Sequence, residues 1–305
     1  MKFSVWPNFS RPWEELAAFA LHTEAAGWHC LWYADHYMGN TGDASIAETD
    51  EGGLECWAAV GALASLTSRI RLGTLVSPTT VHHPAILANR AASIDRISGG
   101  RLTLGLGAGW QINEHTAYGI DLFQAGDRVT RFDEAIQIVR SLFTQPRTTF
   151  VGKHFQITDA PCDPKPVQSP LPILVGTSGP RMSRISARHA DEWNVWGTPE
   201  RVAEAAVVMD EACAAVGRDP STLRRSTQGL VFMVDNDATA AKLRSAAPAD
   251  RSLIGNTSFL TDQIGRYGEL GIDEFILPDF TLGHSAAERL EKYDRFAAEV
   301  IPHFA

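Results

Sequence analysis

A closed (β/α)8 barrel, the TIM-barrel form of the α/β class, is the fold this sequence predicts, and three observations predict it. Short apolar runs of strand length alternate with helical stretches along the whole chain, and eight such runs can be counted. No segment repeats at a long period, and the alternation fits a closed parallel barrel better than a sandwich or a helical bundle. Several runs end in Gly-, Pro- or Ser-rich turns, and the carboxyl ends of barrel strands are where ligands bind. A length of 305 residues is ordinary for one such barrel. The expectation is a single domain over 1–305 with an insertion at 148–172; a doubly wound open sheet is the runner-up.

Taken in order, residues 3–6 read as a strand closed by Pro7-Asn8, and 13–26 as an alanine-rich helix stopped by Gly27. Residues 28–34 form the second strand and deliver Asp35-His36 at its end. The acidic loop 37–53 follows, and a loop of that length is functional or mobile. Helix 54–68 leads into a βαβ unit: strand 70–76, a helix with Ile86, Leu87, Ala91, Ile94 and Ile97 at helical spacing, and strand 102–106. A short helix covers 113–118. Residues 131–143 are amphipathic, with Phe132, Ile136, Val139, Leu142 and Phe143 facing inward, and Asp127 and Arg128 read as the solvated start of that helix. Alternation around Val151-Gly152-Lys153 predicts a hairpin, after which Pro161, Pro164, Pro166, Pro170 and Pro172 forbid regular structure. The alternation resumes with strand 173–176, helix 180–189, strand 192–195, helix 199–216, strand 226–234, helices 238–246 and 258–270, strand 274–277 and helix 286–301.

Composition, 44% hydrophobic and 21% charged, is that of a soluble globular protein. A formal charge of −9 argues against nucleic acid and against an anionic membrane surface as partners, while leaving room for an anionic ligand in a local pocket of amides. Cys30, Cys56, Cys162 and Cys213 show no CxxC pair, so they read as reduced thiols of a cytoplasmic protein. No leader is expected before the first strand, and no apolar run is long enough to cross a bilayer.

Four constellations carry candidate chemistry. Gly105, Gly107 and Gly109 strip one side of the fourth strand's end of side chains, either to receive a flat ligand or to make room for packing or a bulge. In Gly176-Thr177-Ser178-Gly179-Pro180-Arg181, a strand runs into a small-residue turn and then a helix, whose free amides and positive end suit a phosphate; Arg181 and Arg184 add charge. The bland alternative is that Ser178 caps the helix. Asp35-His36 is the best proton-transfer pair, with Asp35 free to orient His36 or to bind ligand; a loop histidine capped by its neighbour is the simpler reading. Trp6, Trp110 and Trp196, near strand ends, form a candidate wall for an aromatic substrate. His82-His83 is not read as a metal pair, since adjacent residues do not share a face. Glu48, Asp50 and Glu51 read as solvated loop charge. No Walker loop, GxSxG or dinucleotide fingerprint is present.

The stretches RIRLGTLVSPTTVHHPAILANRAASIDRISGGRLTLGLGAGW, LPILVGTSGPRMSRISARHADEWN and GIDEFILPDF resemble the bacterial-luciferase-like superfamily, and within it the oxidoreductases that use the deazaflavin coenzyme F420. The likeness implies a luciferase-like TIM barrel with the coenzyme's ring at the carboxyl end of the strands. It implies a non-prolyl cis peptide at Leu75-Val76 behind the ring. Ring and chain contacts would fall on Gly107, Ala108, Gly109 and Asn113, and the phosphate on Gly176, Thr177, Ser178 and Gly179. Asp35-His36 matches the strand-two pair of sugar-phosphate dehydrogenases, whose histidine acts on the substrate proton. Trp110 stands where those members carry an acidic residue, which argues against sugar phosphates and for a flat or apolar substrate. The resemblance thus implies hydride transfer between coenzyme F420 and a small organic substrate, aromatic or carbonyl, in a homodimer. The alternatives are a monooxygenase dependent on flavin mononucleotide (FMN) and a non-catalytic barrel that stores a flavin-like ligand.

Overall fold

The computed structural model describes residues 1–40 and 52–304. Eight parallel strands close on themselves: β1 (Lys2–Trp6), β2 (Cys30–Tyr33), β3 (Arg71–Thr74), β4 (Leu102–Gly107), β5 (Ile173–Gly176), β6 (Glu192–Trp196), β7 (Arg224–Gln228) and β8 (Glu274–Pro278). The neighbours run β3-β2-β1-β8-β7-β6-β5-β4, and β4 returns to β3 through Leu72 opposite Leu102. β2 and β4 are buried along their whole length, as strands covered on both faces must be. That is why β2 reads as an unbroken apolar run, while β4 alternates leucine with Thr103, Gly105 and Gly107.

The surrounding helices turn one stripe to the barrel. In Pro84–Ile97 that stripe is Leu87, Ala88, Ala91, Ala92 and Ile94; Ile86 and Ile97, expected inside from their spacing, lie exposed on the outer face. The helix expected from Arg131 begins at Ala125, so Asp127 lies in its first turn, and all five residues expected inside it are buried. No helix among the described residues is long and apolar enough to cross a membrane.

The hairpin between β4 and β5 pairs Thr148–Val151 with Gln156–Ala160. Buried carboxylates attach this excursion to the barrel. Glu134 accepts the amides of Lys153 (2.7 Å), His154 (2.9 Å) and Phe155 (3.1 Å), while Asp95 takes Val167 N (2.8 Å), Gln168 N (3.0 Å) and Gln168 Nε2 (2.6 Å). Arg131 lies over the Phe155 ring at 4.4 Å.

One strand differs from expectation. Residues 226–234 do not form a single strand: the chain leaves the barrel at Gly229, and Leu230–Met233 pairs instead with Ser252–Gly255 in a separate parallel ribbon. Ser252–Gly255 was not anticipated, because four residues between two helices offer too short a run to show a period. The acidic stretch with Glu48, Asp50 and Glu51 lies outside the described residues.

Candidate active site

The site begins with an irregularity in β3. After Thr74 the chain passes through a cis Leu75-Val76 peptide and rejoins β4 at Ser77–Pro78, with Ser77 opposite Leu106 and Pro78 opposite Gly107. The glycines of β4 exist for this bulge. A Cβ on Gly105 would sit 1.8 Å from the Thr74 carbonyl oxygen, and one on Gly107 would sit 2.6 Å from Val76 Cγ2. The side-chain-free wall envisaged for a flat ligand is therefore already occupied: Val76 fills it and itself becomes part of the surface above. Gly109 has a φ of +86°, a left-handed value that suits glycine, and carries the chain away beside Thr80.

Above this bulge, at the carboxyl rim of the barrel, lies a cleft of about 360 Å³. Leu75, Val76 and Pro78 form one side, and Gly107, Ala108 and Gly109 another. Gly176, Thr177 and Met182 close one end, while Trp6, His36, Trp110 and Glu114 close the other. Asn194 and Gln228 also line the cleft, tied by reciprocal amide bonds of 2.8 and 3.0 Å. A second cleft of about 350 Å³ adjoins it, shares Trp6, His36 and Trp110, and adds Phe9, Trp196 and Phe280. Trp6 meets Trp196 edge to face at 5.4 Å and Phe280 at 5.1 Å, so these rings form one packed aromatic group.

Beyond Thr177 the chain turns through the exposed Ser178 and Gly179 into helix Pro180–His189. Gly179 is the residue at the N-cap, and no side chain caps the helix; Ser178 does not. The first amides of that helix are thus without the usual side-chain acceptor. The expected help from Arg181 is absent, because its guanidinium reaches outward to Gly126 O (2.9 Å) and Thr130 Oγ1 (2.8 Å).

Asp35 and His36 part company. Asp35 is 1% exposed, and its Oδ2 takes Ser77 Oγ (2.5 Å), His82 Nε2 (2.8 Å) and Trp57 Nε1 (3.0 Å). Burial raises its pKa, but the interactions with His82 and Ser77 outweigh burial and hold it below the usual carboxylate value. Asp35 therefore anchors the residues just after the bulge, and does not orient His36. That role falls to Glu114, on the short helix Ile112–Ala117: Oε1 lies 2.9 Å from His36 Nδ1, and Oε2 accepts the Tyr37 amide at 3.0 Å. The helix is held in turn by His115, which bridges Gln111 O (2.7 Å) and Thr80 Oγ1 (2.8 Å). Asn113 faces the loop after β2, donating Nδ2 to Gly39 O at 2.8 Å, and lines neither cleft. His83 accepts the Ala85 amide at the start of its helix.

Sequence reasoning did not single out Glu114, Asn194 or Gln228, and considered His82 only as one of an adjacent pair unsuited to a metal. A signal for Glu114 was present: three polar residues, Asn113-Glu114-His115, follow directly on a barrel strand's carboxyl end. Nothing local marks Asn194 or Gln228, which become neighbours only through the pairing of β6 with β7.

The sequence model of the luciferase-like monooxygenase family matches residues 1–298. The chain belongs to that family. This luciferase-like protein is 31% identical over 234 residues to the F420-dependent hydroxymycolic acid dehydrogenase of Mycobacterium tuberculosis, covering 75% of this chain and 61% of that one. It is 36% identical over 202 residues to the pyrimidine monooxygenase RutA of Stutzerimonas stutzeri, covering 64% of this chain and 54% of that one. Its fold superposes on an F420-dependent secondary alcohol dehydrogenase, solved with an F420-acetone adduct, with a TM-score of 0.83 over the whole of both chains at 20% identity. The luciferase-like chain is an oxidoreductase.

Proposed function

We propose that this protein transfers a hydride between coenzyme F420 and a small organic substrate, aromatic or carbonyl, as a cytoplasmic homodimer. One observation carries the reading: a single cleft runs from His36, over the Leu75-Val76 bulge, to Thr177 at the foot of an uncapped helix. The residues present fit a flat ring with an acidic tail. Leu75, Val76, Pro78 and Ala108 offer an apolar saddle, and the helix amides after Thr177 offer donors for a phosphate. When bound, the deazaflavin supplies the two-electron hydride chemistry. His36, at the junction of the two clefts, takes the proton from an alcohol oxygen or returns it to a carbonyl oxygen. Trp6, Trp110 and Trp196 wall the second cleft, shed water from it and match a flat or apolar substrate. The cofactor residues of this reading are Leu75, Val76, Gly107, Ala108, Gly109, Gly176, Thr177, Ser178 and Gly179; Asn113 lines neither cleft and stays outside the set. Four buried free cysteines suit a reducing compartment.

A second reading, an FMN-dependent monooxygenase, is favoured by the likeness to the pyrimidine monooxygenase. Calorimetric titration of the purified protein with each cofactor separates the two. Micromolar binding of coenzyme F420 with weaker binding of FMN supports the first reading, and the reverse order replaces it with the second.

A further inference from the structure

We propose that Glu114 is a positioning residue: it fixes which ring nitrogen of His36 carries the proton, and so presents Nε2 as the atom that meets the substrate. The inference deepens the oxidoreductase reading above and rests on it for the proton's destination. The carboxylate is 3% exposed and reaches His36 from a different element, 78 residues further along the chain. Both of its oxygens are engaged, one by His36 Nδ1 at 2.9 Å and the other by the Tyr37 amide at 3.0 Å. Rotating it away would strand a backbone N–H, so the carboxylate is fixed in place.

An ionised carboxylate has no hydrogen to give, so Nδ1 of His36 must be the donor in this pair. The neutral ring then holds its free lone pair on Nε2. Trp110 meets the ring edge to face at 5.6 Å, and Phe9 lies at 6.2 Å, so the imidazole is held on its flanks as well. The neighbouring carboxylate, Asp35, makes no hydrogen bond to the ring: its Oδ2 is taken by Ser77, His82 and Trp57, and its Oδ1 is buried without a partner. Among the described residues, Glu114 is hydrogen-bonded to His36, Asp35 interacts with it electrostatically with His82 behind, and Arg251 lines the second cleft with it.

In alcohol oxidation the hydroxyl proton passes to Nε2 as the carbon-bound hydride leaves for the coenzyme. The imidazolium so formed keeps its Nδ1 hydrogen bond to a full negative charge. Carbonyl reduction is the reverse, with the proton returned from Nε2 to oxygen. Glu114→Gln keeps the shape and removes the charge. With the Tyr37 amide on its oxygen, the glutamine presents NH2 to Nδ1, which must then accept; the ring proton moves to Nε2, the wrong nitrogen for taking a proton.

Imidazole 15N spectra of the full-length chain, at about pH 8.5 where an ordinary histidine is neutral, read this directly, with the His36 signals assigned by their loss in His36→Gln. The expected result is the Nδ1–H tautomer in the wild type and in Glu114→Asp, and the Nε2–H tautomer in Glu114→Gln, with melting temperatures alike. With an alcohol that the F420-loaded protein oxidises, kcat of Glu114→Gln falls about 10²- to 10⁴-fold while KM changes little. A wild-type Nε2–H tautomer, or the same tautomer in wild type and Glu114→Gln, overturns the proposal. Should Glu114→Gln fail to fold, the wild-type spectrum still decides. Failure to bind coenzyme F420 would remove the cofactor reading and leave the tautomer result standing.

Discussion

Gly105 shows how strictly a single residue can be specified here. Its missing side chain is the space taken by the Thr74 carbonyl, 1.8 Å from where a Cβ would lie. Gly105→Ala should therefore lower stability by ~3 kcal/mol, at the upper end for overpacking, because backbone, unlike a flexible side chain, cannot step aside. Gly61→Ala, in a helix where the new Cβ would meet only Ile94 at 3.7 Å, should stabilise by about 0.5 kcal/mol. Urea unfolding of the two variants checks the contrast; equal effects would refute the account of the bulge. His36→Ala should reduce turnover about 10²- to 10⁴-fold and leave cofactor affinity unchanged, measured by steady-state kinetics beside calorimetry. The sequence shows Asp35 and His36 side by side and so invites pairing them. Their partners, His82 and Glu114, come from other elements, and no local pattern states which carboxylate faces which imidazole.

At the scale of elements, buried carboxylates do work that hydrophobic patterning does not announce. Glu134 satisfies three consecutive amides of the hairpin tip, so Glu134→Ala should loosen the hairpin while sparing the barrel. Hydrogen exchange at 153–155 should rise by at least tenfold, with the strand amides of β1 and β8 unchanged. In β6, burial pushes the Glu192 carboxyl up to about 7, against the pull of Arg224 at 3.0 Å and with Glu274 adding to the rise. An acid whose pKa is higher folded than unfolded stabilises fully below its unfolded value and loses that stability as pH rises. Wild type should thus lose up to ~3 kcal/mol relative to Glu192→Gln between about pH 4.5 and 7, and no more above that range. Urea midpoints of both proteins across that range test the sign; parallel curves would contradict it. The helices and most strands were legible from their periods, since each buries one stripe or both faces. The Leu230–Met233 and Ser252–Gly255 ribbon was not, because its pairing joins segments 22 residues apart in register and neither run carries a pattern of its own.

At the scale of the whole molecule, closure is what makes the site. β4 must pair with β3 to finish the ring, and that contact sets the bulge, β4's glycines and the short helix with Glu114 at one rim. The barrel was readable because eight strand-length runs alternating with helices leave few other arrangements. The strand, turn and helix after β5 were readable because an apolar run, small residues and a proline suited to the first helical position follow one another in the sequence. On the proposed function, one cleft at this rim receives the ring over Val76 and the acidic tail at Thr177. A crystal structure of the protein soaked with coenzyme F420 tests it most directly. The deazaflavin ring should lie against Val76 and Ala108 within reach of His36, with phosphate oxygens on the amides following Thr177; a coenzyme bound at any other face of the barrel, or a ring turned away from His36, would rule that cleft out as its seat.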